Sequence, residues 1–154
     1  MALAAVAMQT QRIRIGSLVT ALAGRRPWQV ARQVVALDHL SNGRLIFGAG
    51  LGFEAHEFTA LGEDADPKIR AEKLDEGLEV LTGLWTGASL TFHGRHYHIN
   101  DVRLLPGPIQ SPRIPVWIAG FWPNRRPFRR AARWDGLYVG TAKVNGEDEN
   151  AAHR

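Results

Sequence analysis

The stretch from Leu37 to Gly52 reads Leu-Asp-His-Leu-Ser-Asn-Gly-Arg-Leu-Ile-Phe-Gly-Ala-Gly-Leu-Gly, and it constrains this chain more than any other. Asn42-Gly43 ends a helix, because glycine takes the left-handed conformation there without a Cβ penalty. Leu45-Ile46-Phe47 follow as an unbroken apolar run, the pattern of a parallel strand buried on both faces. Gly48, Gly50 and Gly52 close that strand. Glycines in this position let backbone approach something bulky and planar, or phosphorylated.

Around this core the pattern alternates. Arg12 to Thr20 is β-branched and alternating and predicts a strand. Pro27 suits a first helical position. The helix it opens runs to Leu40 and buries Val30, Val34, Leu37 and Leu40 at helical spacing. Residues 53–66 form a loop with room for one helical turn. Asp66-Pro67 then caps a helix over 68–85 that carries Leu74, Leu78, Leu81 and Trp85 on one stripe. Leu90 to Phe92 and His96 to Ile99 flank a short hairpin turn, and a proline-rich connector fills 106–115. A buried strand over 114–120, a helix over 128–134 and a strand over 137–139 complete the pattern. The tail from 143 to 154 is polar and is expected to be disordered. Residues 1–142 thus read as one α/β unit with a parallel sheet, and right-handed crossovers link its strands. Periodicity alone does not separate an open sheet from a barrel.

Composition narrows the chemistry. With 154 residues the chain can bury an ordinary core, and 45% apolar with 22% charged residues is the balance of a globular protein. Zero cysteines exclude disulfides, thiolate metal sites and a cysteine nucleophile. The net charge of +4 comes mainly from arginines spread along the chain, and only Arg125, Arg126, Arg129, Arg130 and Arg133 cluster, so a nucleic-acid partner is not expected. No apolar run reaches the roughly 20 residues of a membrane span, and the apolar start lacks a positive n-region, so a cytoplasmic location is the default. His93, His96 and His98 lack a carboxylate at ligand spacing, and no metal is expected. The glycine run departs from Gly-x-Gly-x-x-Gly at Phe53, which disfavours a dinucleotide.

Several segments in order resemble the luciferase-like monooxygenase family. They are Thr10-Gln-Arg-Ile-Arg-Ile-Gly16, Pro27 with Ala31-Arg32, Leu37-Asp38, Ser41-Asn-Gly-Arg44 and Gly48-Ala-Gly50. Further on come Leu74-Asp-Glu-Gly-Leu78, Leu84-Trp85, Phe92-His-Gly94, Pro115-Val-Trp-Ile118 and Asp135-Gly136. The resemblance implies a (β/α)8 barrel of the TIM type. The strands here would correspond to its third to sixth, and residues 53–112 would contain the excursion before the fifth. Such a barrel usually needs about 250 residues, so the chain reads as an internal part of one.

Barrel sites lie at the C-terminal strand ends, which supplies the candidates. At Ser17, Leu18 and Val19 the resemblance implies a bulge with a non-proline cis peptide against an isoalloxazine ring. Gly48, Gly50 and Gly52 form the second end. The third is Gly120-Phe121 with Arg125 and Arg126, where arginine beside a helix start makes an anion site. By resemblance this loop and the one after Gly48 hold the cofactor phosphate. Some flavin-binding relatives carry a phosphate-binding arginine just after the second strand end. Leu51 stands there here, which leaves a deazaflavin coenzyme as the alternative to FMN.

The implied function is a flavin-dependent oxidoreductase or monooxygenase, with reduced FMN activating dioxygen toward a small organic substrate. Deazaflavin-dependent hydride transfer and a non-catalytic half-barrel, possible as a homodimer, are the competing readings. Catalytic residues are not assigned.

Overall fold

The computed structural model describes residues 2–52 and 54–141. The expected tail, 143–154, lies outside the described residues. Helix α1 (Ala2–Gln9) leads to β1 (Ile15–Gly16) and β2 (Thr20–Ala21), then α2 (Pro27–Leu40) and β3 (Leu45–Gly50). A short α3 (Ala55–Thr59) and the long α4 (Pro67–Trp85) follow, then the hairpin β4 (Leu90–His93) and β5 (His98–Val102). The last elements are β6 (Val116–Trp122), α5 (Arg125–Ala131) and β7 (Gly136–Thr141).

The main sheet is wholly parallel, in the order β1-β3-β6-β7, with β2 also on β3. It is half of a (β/α)8 barrel. The β4–β5 pair is antiparallel and stands apart from the main sheet, within the expected excursion.

Where the sequence suggests one strand over 12–20, the structure has two short ones. Ile15 and Gly16 pair with Leu45 and Ile46, and Thr20 and Ala21 pair with Ala49 and Gly50. Three residues, 17–19, therefore span a gap that β3 crosses with two, which makes a bulge. The Leu18-Val19 peptide within it is cis.

Both long helices begin at a proline. On α4 the Asp66 carboxylate accepts from the amides of Lys68 and Ile69, so the N-terminal turn is capped as its sequence suggests. Leu74, Leu78, Leu81 and Trp85 are all buried. On α2 the stripe is rotated from expectation: Val30, Ala31, Val34, Val35 and Asp38 face inward, while Leu40 is exposed. Asp38 turns that face inward because its carboxylate accepts from the amides of Ile109 and Gln110 and from Gln110 Nε2, at 2.8, 3.3 and 2.8 Å. The proline-rich connector is thereby pinned to α2.

The Ser41-Asn-Gly-Arg44 corner is structural. Asn42 and Gly43 both have positive φ, 53° and 73°. Arg44 fans out to the carbonyls of Ala7, Thr10, Ile13 and Ser41 and to Thr10 Oγ1, which ties the α1–β1 link to the start of β3.

Two other expectations are corrected. Helix α5 starts at Arg125 rather than 128, because Asn124 Oδ1 accepts from the Arg126 amide and Pro127 falls in the first turn, where no helical N–H is required. The strand expected to begin at His96 starts at His98, and His96 lies in the hairpin turn itself. A carboxylate does stand beside it, since His96 Nε2 is 3.0 Å from Glu72. That bond, with Arg95 beside it, holds the Glu72 carboxyl below its ordinary range.

Candidate functional site

All the parallel strands run the same way, so their C-terminal ends gather on one side of the half-barrel. There they frame a cavity of about 500 Å³, within the usual range for ligand pockets. The bulge supplies Leu18, Val19 and Ala21, and the end of β3 supplies Gly50, Leu51 and Gly52. From the end of β6 come Ala119, Gly120 and Phe121. The remaining wall is Glu57 on α3, Leu74 on α4, Asn124, Pro127 and Arg130 at α5, and Tyr138 on β7.

Six of the ten candidate residues thus meet at one cavity: Leu18, Val19, Gly50, Gly52, Gly120 and Phe121. Ser17 and Gly48 stand behind them and position the bulge. Ser17 Oγ donates to the Gly48 carbonyl at 3.2 Å and shares a hydrogen bond with Thr20 Oγ1 at 2.9 Å. A side chain at position 48 would run into the Ser17 carbonyl oxygen, and a Cβ at position 50 would lie 2.9 Å from Val19 Cγ2. What these two glycines admit is the chain's own 17–19 segment, which is thereby pressed onto β3 with Leu18 and Val19 facing the cavity. Gly52 has φ +86° and a Cβ there would lie 2.8 Å from the Phe58 ring. Arg125 and Arg126 are exposed and outside the cavity wall, and one helix-start amide they were expected to offer is taken by Asn124.

Two arginines that sequence reasoning passed over matter more. Arg130 lines the cavity with 9% of its surface exposed, and its Nε and Nη2 bond the two oxygens of Asp75 at 2.7 and 2.9 Å. Arg70, 7% exposed, lies one helical turn before Leu74, and its guanidinium sits 4.6 Å from the Phe58 ring centre. Its Nε and Nη1 are buried without a hydrogen-bond partner. A signal for Arg70 was present: it extends the apolar stripe of α4 by one turn, and an arginine in such a place is seldom there for solvent. Arg130 follows Pro127 by three positions on the same helix face, which also marks it as inward.

Elsewhere, burial of Asp135 raises its carboxyl, but the hydrogen bonds from Arg113 and from the Val116 amide outweigh it and leave the group below its ordinary value. Tyr97, by contrast, is pushed up to about 12 by burial and by the nearby Glu63 and Glu76. Among the described residues no cluster of three or more His, Cys, Asp or Glu is placed to hold a metal, and no helix is long and apolar enough to cross a membrane.

Fold and cavity together define a partial (β/α)8 barrel with a ligand cavity at its C-terminal strand ends. The family model for luciferase-like monooxygenases matches residues 1–149, and the chain belongs to that family. It is 43% identical over 111 residues to limonene 1,2-monooxygenase of Rhodococcus erythropolis, covering 72% of this chain and 28% of that protein. It is 33% identical over 121 residues to an F420-dependent glucose-6-phosphate dehydrogenase of Amycolatopsis mediterranei, covering 77% and 36%. Among solved structures, monooxygenase RslO1 from Streptomyces bottropensis superposes with a TM-score of 0.76 at 30% identity, over 85% of this chain and 39% of that one. The chain therefore spans about a third of the length of these relatives.

Proposed function

We propose that this chain forms the cofactor-facing wall of a flavin-dependent oxidoreductase of the monooxygenase type, with FMN as cofactor and a small organic molecule as substrate. One observation carries the reading: six of the candidate strand-end residues share a cavity whose wall also holds the buried guanidinium of Arg130, gripped by Asp75. One turn before Leu74 on α4, Arg70 is buried with its Nε and Nη1 lacking a hydrogen-bond partner. A buried, uncompensated cation is costly. It suits a site whose ligand brings the negative charge, as a mononucleotide phosphate does. The lining residues Leu18, Val19, Leu51 and Phe121 are apolar and suit a ring system.

Reduced FMN, when bound, supplies the electrons that activate dioxygen for oxidation of the substrate. The chain's own residues orient and shield. Leu18, Val19 and Leu51 bear on the ring side and keep water from it, while the α4–α5 side offsets the phosphate charge. A deazaflavin coenzyme in the same cavity is the second reading, favoured by the relationship to the F420-dependent dehydrogenase.

Titrating the purified chain into FMN and, separately, into F420, with fluorescence as readout, tests both. Saturable quenching is expected, weaker than micromolar. The chain supplies only part of a barrel wall, and each Å² of apolar ring left in water forgoes roughly 25 cal/mol. No quenching of either coenzyme up to millimolar protein overturns the proposal. Submicromolar binding by a monomer would show instead that these strands complete a site unaided.

A further inference from the structure

We infer that Arg130, held in place by Asp75, is the side chain that binds a phosphate group in this cavity. The inference deepens the flavin reading and rests on it only for where the phosphate comes from.

The geometry is that of a prepared ligand. Asp75 on α4 grips Arg130 by two parallel bonds, Nε to Oδ1 at 2.7 Å and Nη2 to Oδ2 at 2.9 Å, which fixes the guanidinium plane. Nη2 also reaches the Ala71 carbonyl at 3.4 Å. Nη1 makes no hydrogen bond among the described residues, so one edge of a buried, oriented cation in the cavity wall is left for a ligand.

The local charge balance points the same way. Asp75 Oδ1 is shared with Arg133 Nη2 at 2.9 Å, so two guanidiniums rest on one carboxylate and one positive charge is left over. Arg70, one residue before Ala71 on α4, is buried against the Phe58 ring with its Nε and Nη1 lacking hydrogen-bond partners. Glu57 is the one carboxylate in the wall, and it is exposed on α3. If the only task were to dock α5 onto α4, the more exposed Arg133–Asp75 pair would serve without burying a second cation. Arg125 and Arg126 are less suited, being exposed and away from the cavity.

A phosphomonoester dianion matches this excess charge. It can arrive on the cofactor or on a phosphorylated substrate, and the two sources separate experimentally. Thermal unfolding of the full chain is followed with and without inorganic phosphate, and FMN and riboflavin are titrated in parallel. The comparison variants are Arg130→Met, which leaves Asp75 paired with Arg133, and Asp75→Asn, which leaves the cation present but unheld. The expected result is that phosphate raises the melting temperature of the parent chain but not of Arg130→Met. FMN should bind about tenfold tighter than riboflavin, and that ratio should fall to near one in Arg130→Met and part of the way in Asp75→Asn. A variant that is merely less stable would weaken both flavins alike and keep the ratio.

Phosphate protection that depends on Arg130, with FMN and riboflavin bound equally, supports the site and assigns the phosphate to the substrate. Arg130-dependent protection with no flavin binding at all supports the site while defeating the flavin reading. Phosphate protection or an FMN preference that survives in Arg130→Met overturns the inference, as does a parent chain that shows neither effect.

Discussion

Replacing the glycines of β3 tests how the bulge is held. In Gly50→Ala the new methyl lies 2.9 Å from Val19 Cγ2 and 3.5 Å from Ala119 Cβ, against an ordinary carbon–carbon contact of about 3.5–4.0 Å. The valine must therefore retreat by more than half an ångström, and a β-branched side chain has few rotamers to retreat into. Overpacking of this kind costs about 1–3 kcal/mol, offset by about 0.5–1 kcal/mol from the backbone freedom that alanine lacks in the unfolded chain. A net loss of about 1–2 kcal/mol is expected, and Val19→Ala should return most of it in the double variant. In Gly48→Ala the obstacle is the Ser17 carbonyl oxygen, which no side-chain truncation removes. That variant should lose more, about 3 kcal/mol or above, with no rescue by Val19→Ala. Urea unfolding monitored by tryptophan fluorescence, with unchanged m-values, measures all four. A loss below 1 kcal/mol in Gly48→Ala, or equal rescue of both glycine variants by Val19→Ala, would refute the claim that the backbone of 17–19 is seated on Gly48.

Two further expectations concern the frame around the cavity. Asp38→Ala removes the acceptor for the part-buried amides of Ile109 and Gln110, and because water can reach them in part the loss should be about 1–3 kcal/mol in the same urea assay, with Asp38→Asn milder; near-neutral behaviour would show that the connector is not anchored there. Asp135 has a folded pKa below its unfolded value near 3.8, so its contribution is present above about pH 4 and is lost as the pH falls through the folded pKa; urea midpoints of Asp135→Asn measured from pH 6 to 2 should decline less steeply than those of the parent, and parallel curves would sink the assignment.

Local chemistry made much of the scaffold legible. Pro27 and Pro67 mark where α2 and α4 begin, and Asp66 announces the α4 cap, because these effects act within one helical turn. The buried parallel strands could be read as well, since no polar residue interrupts Leu45-Ile46-Phe47. Distant partners were not legible. Periodicity missed the break in the strand over 12–20, where its middle settles on Gly48, 31 positions away, although the family resemblance implied both the bulge at 17–19 and its cis peptide. Leu40 yields its inward place to Asp38, whose partners lie 71 and 72 residues further on. The candidate site divides in the same way. Strand ends follow from topology, so Leu18, Val19, Gly50 and Gly120 could be named in advance. The charged wall depends on how α4 packs against α5, and there Arg130 rather than Arg125 or Arg126 turns inward.

The inner face of the sheet explains why such a cavity has room at all. Side chains on that face of a closed barrel normally fill its interior in layers. Here the large rings lie along the sheet instead. A Cβ at Gly136 would fall 2.5 Å from Trp117 Nε1, and one at Gly140 would strike the Phe121 ring, so each ring of β6 lies across a glycine of β7. Ala119, between Trp117 and Phe121 on the same face, pairs with Tyr138 of β7. Between those two rings the face carries only the Ala119 methyl and Tyr138, and Leu18 and Val19 line the cavity from the bulge side. The lining also carries Arg130, held on the Asp75 carboxylate, and the exposed Glu57. A lining that is apolar at the strand ends and carries an oriented cation from α5 can distinguish the two ends of a ligand.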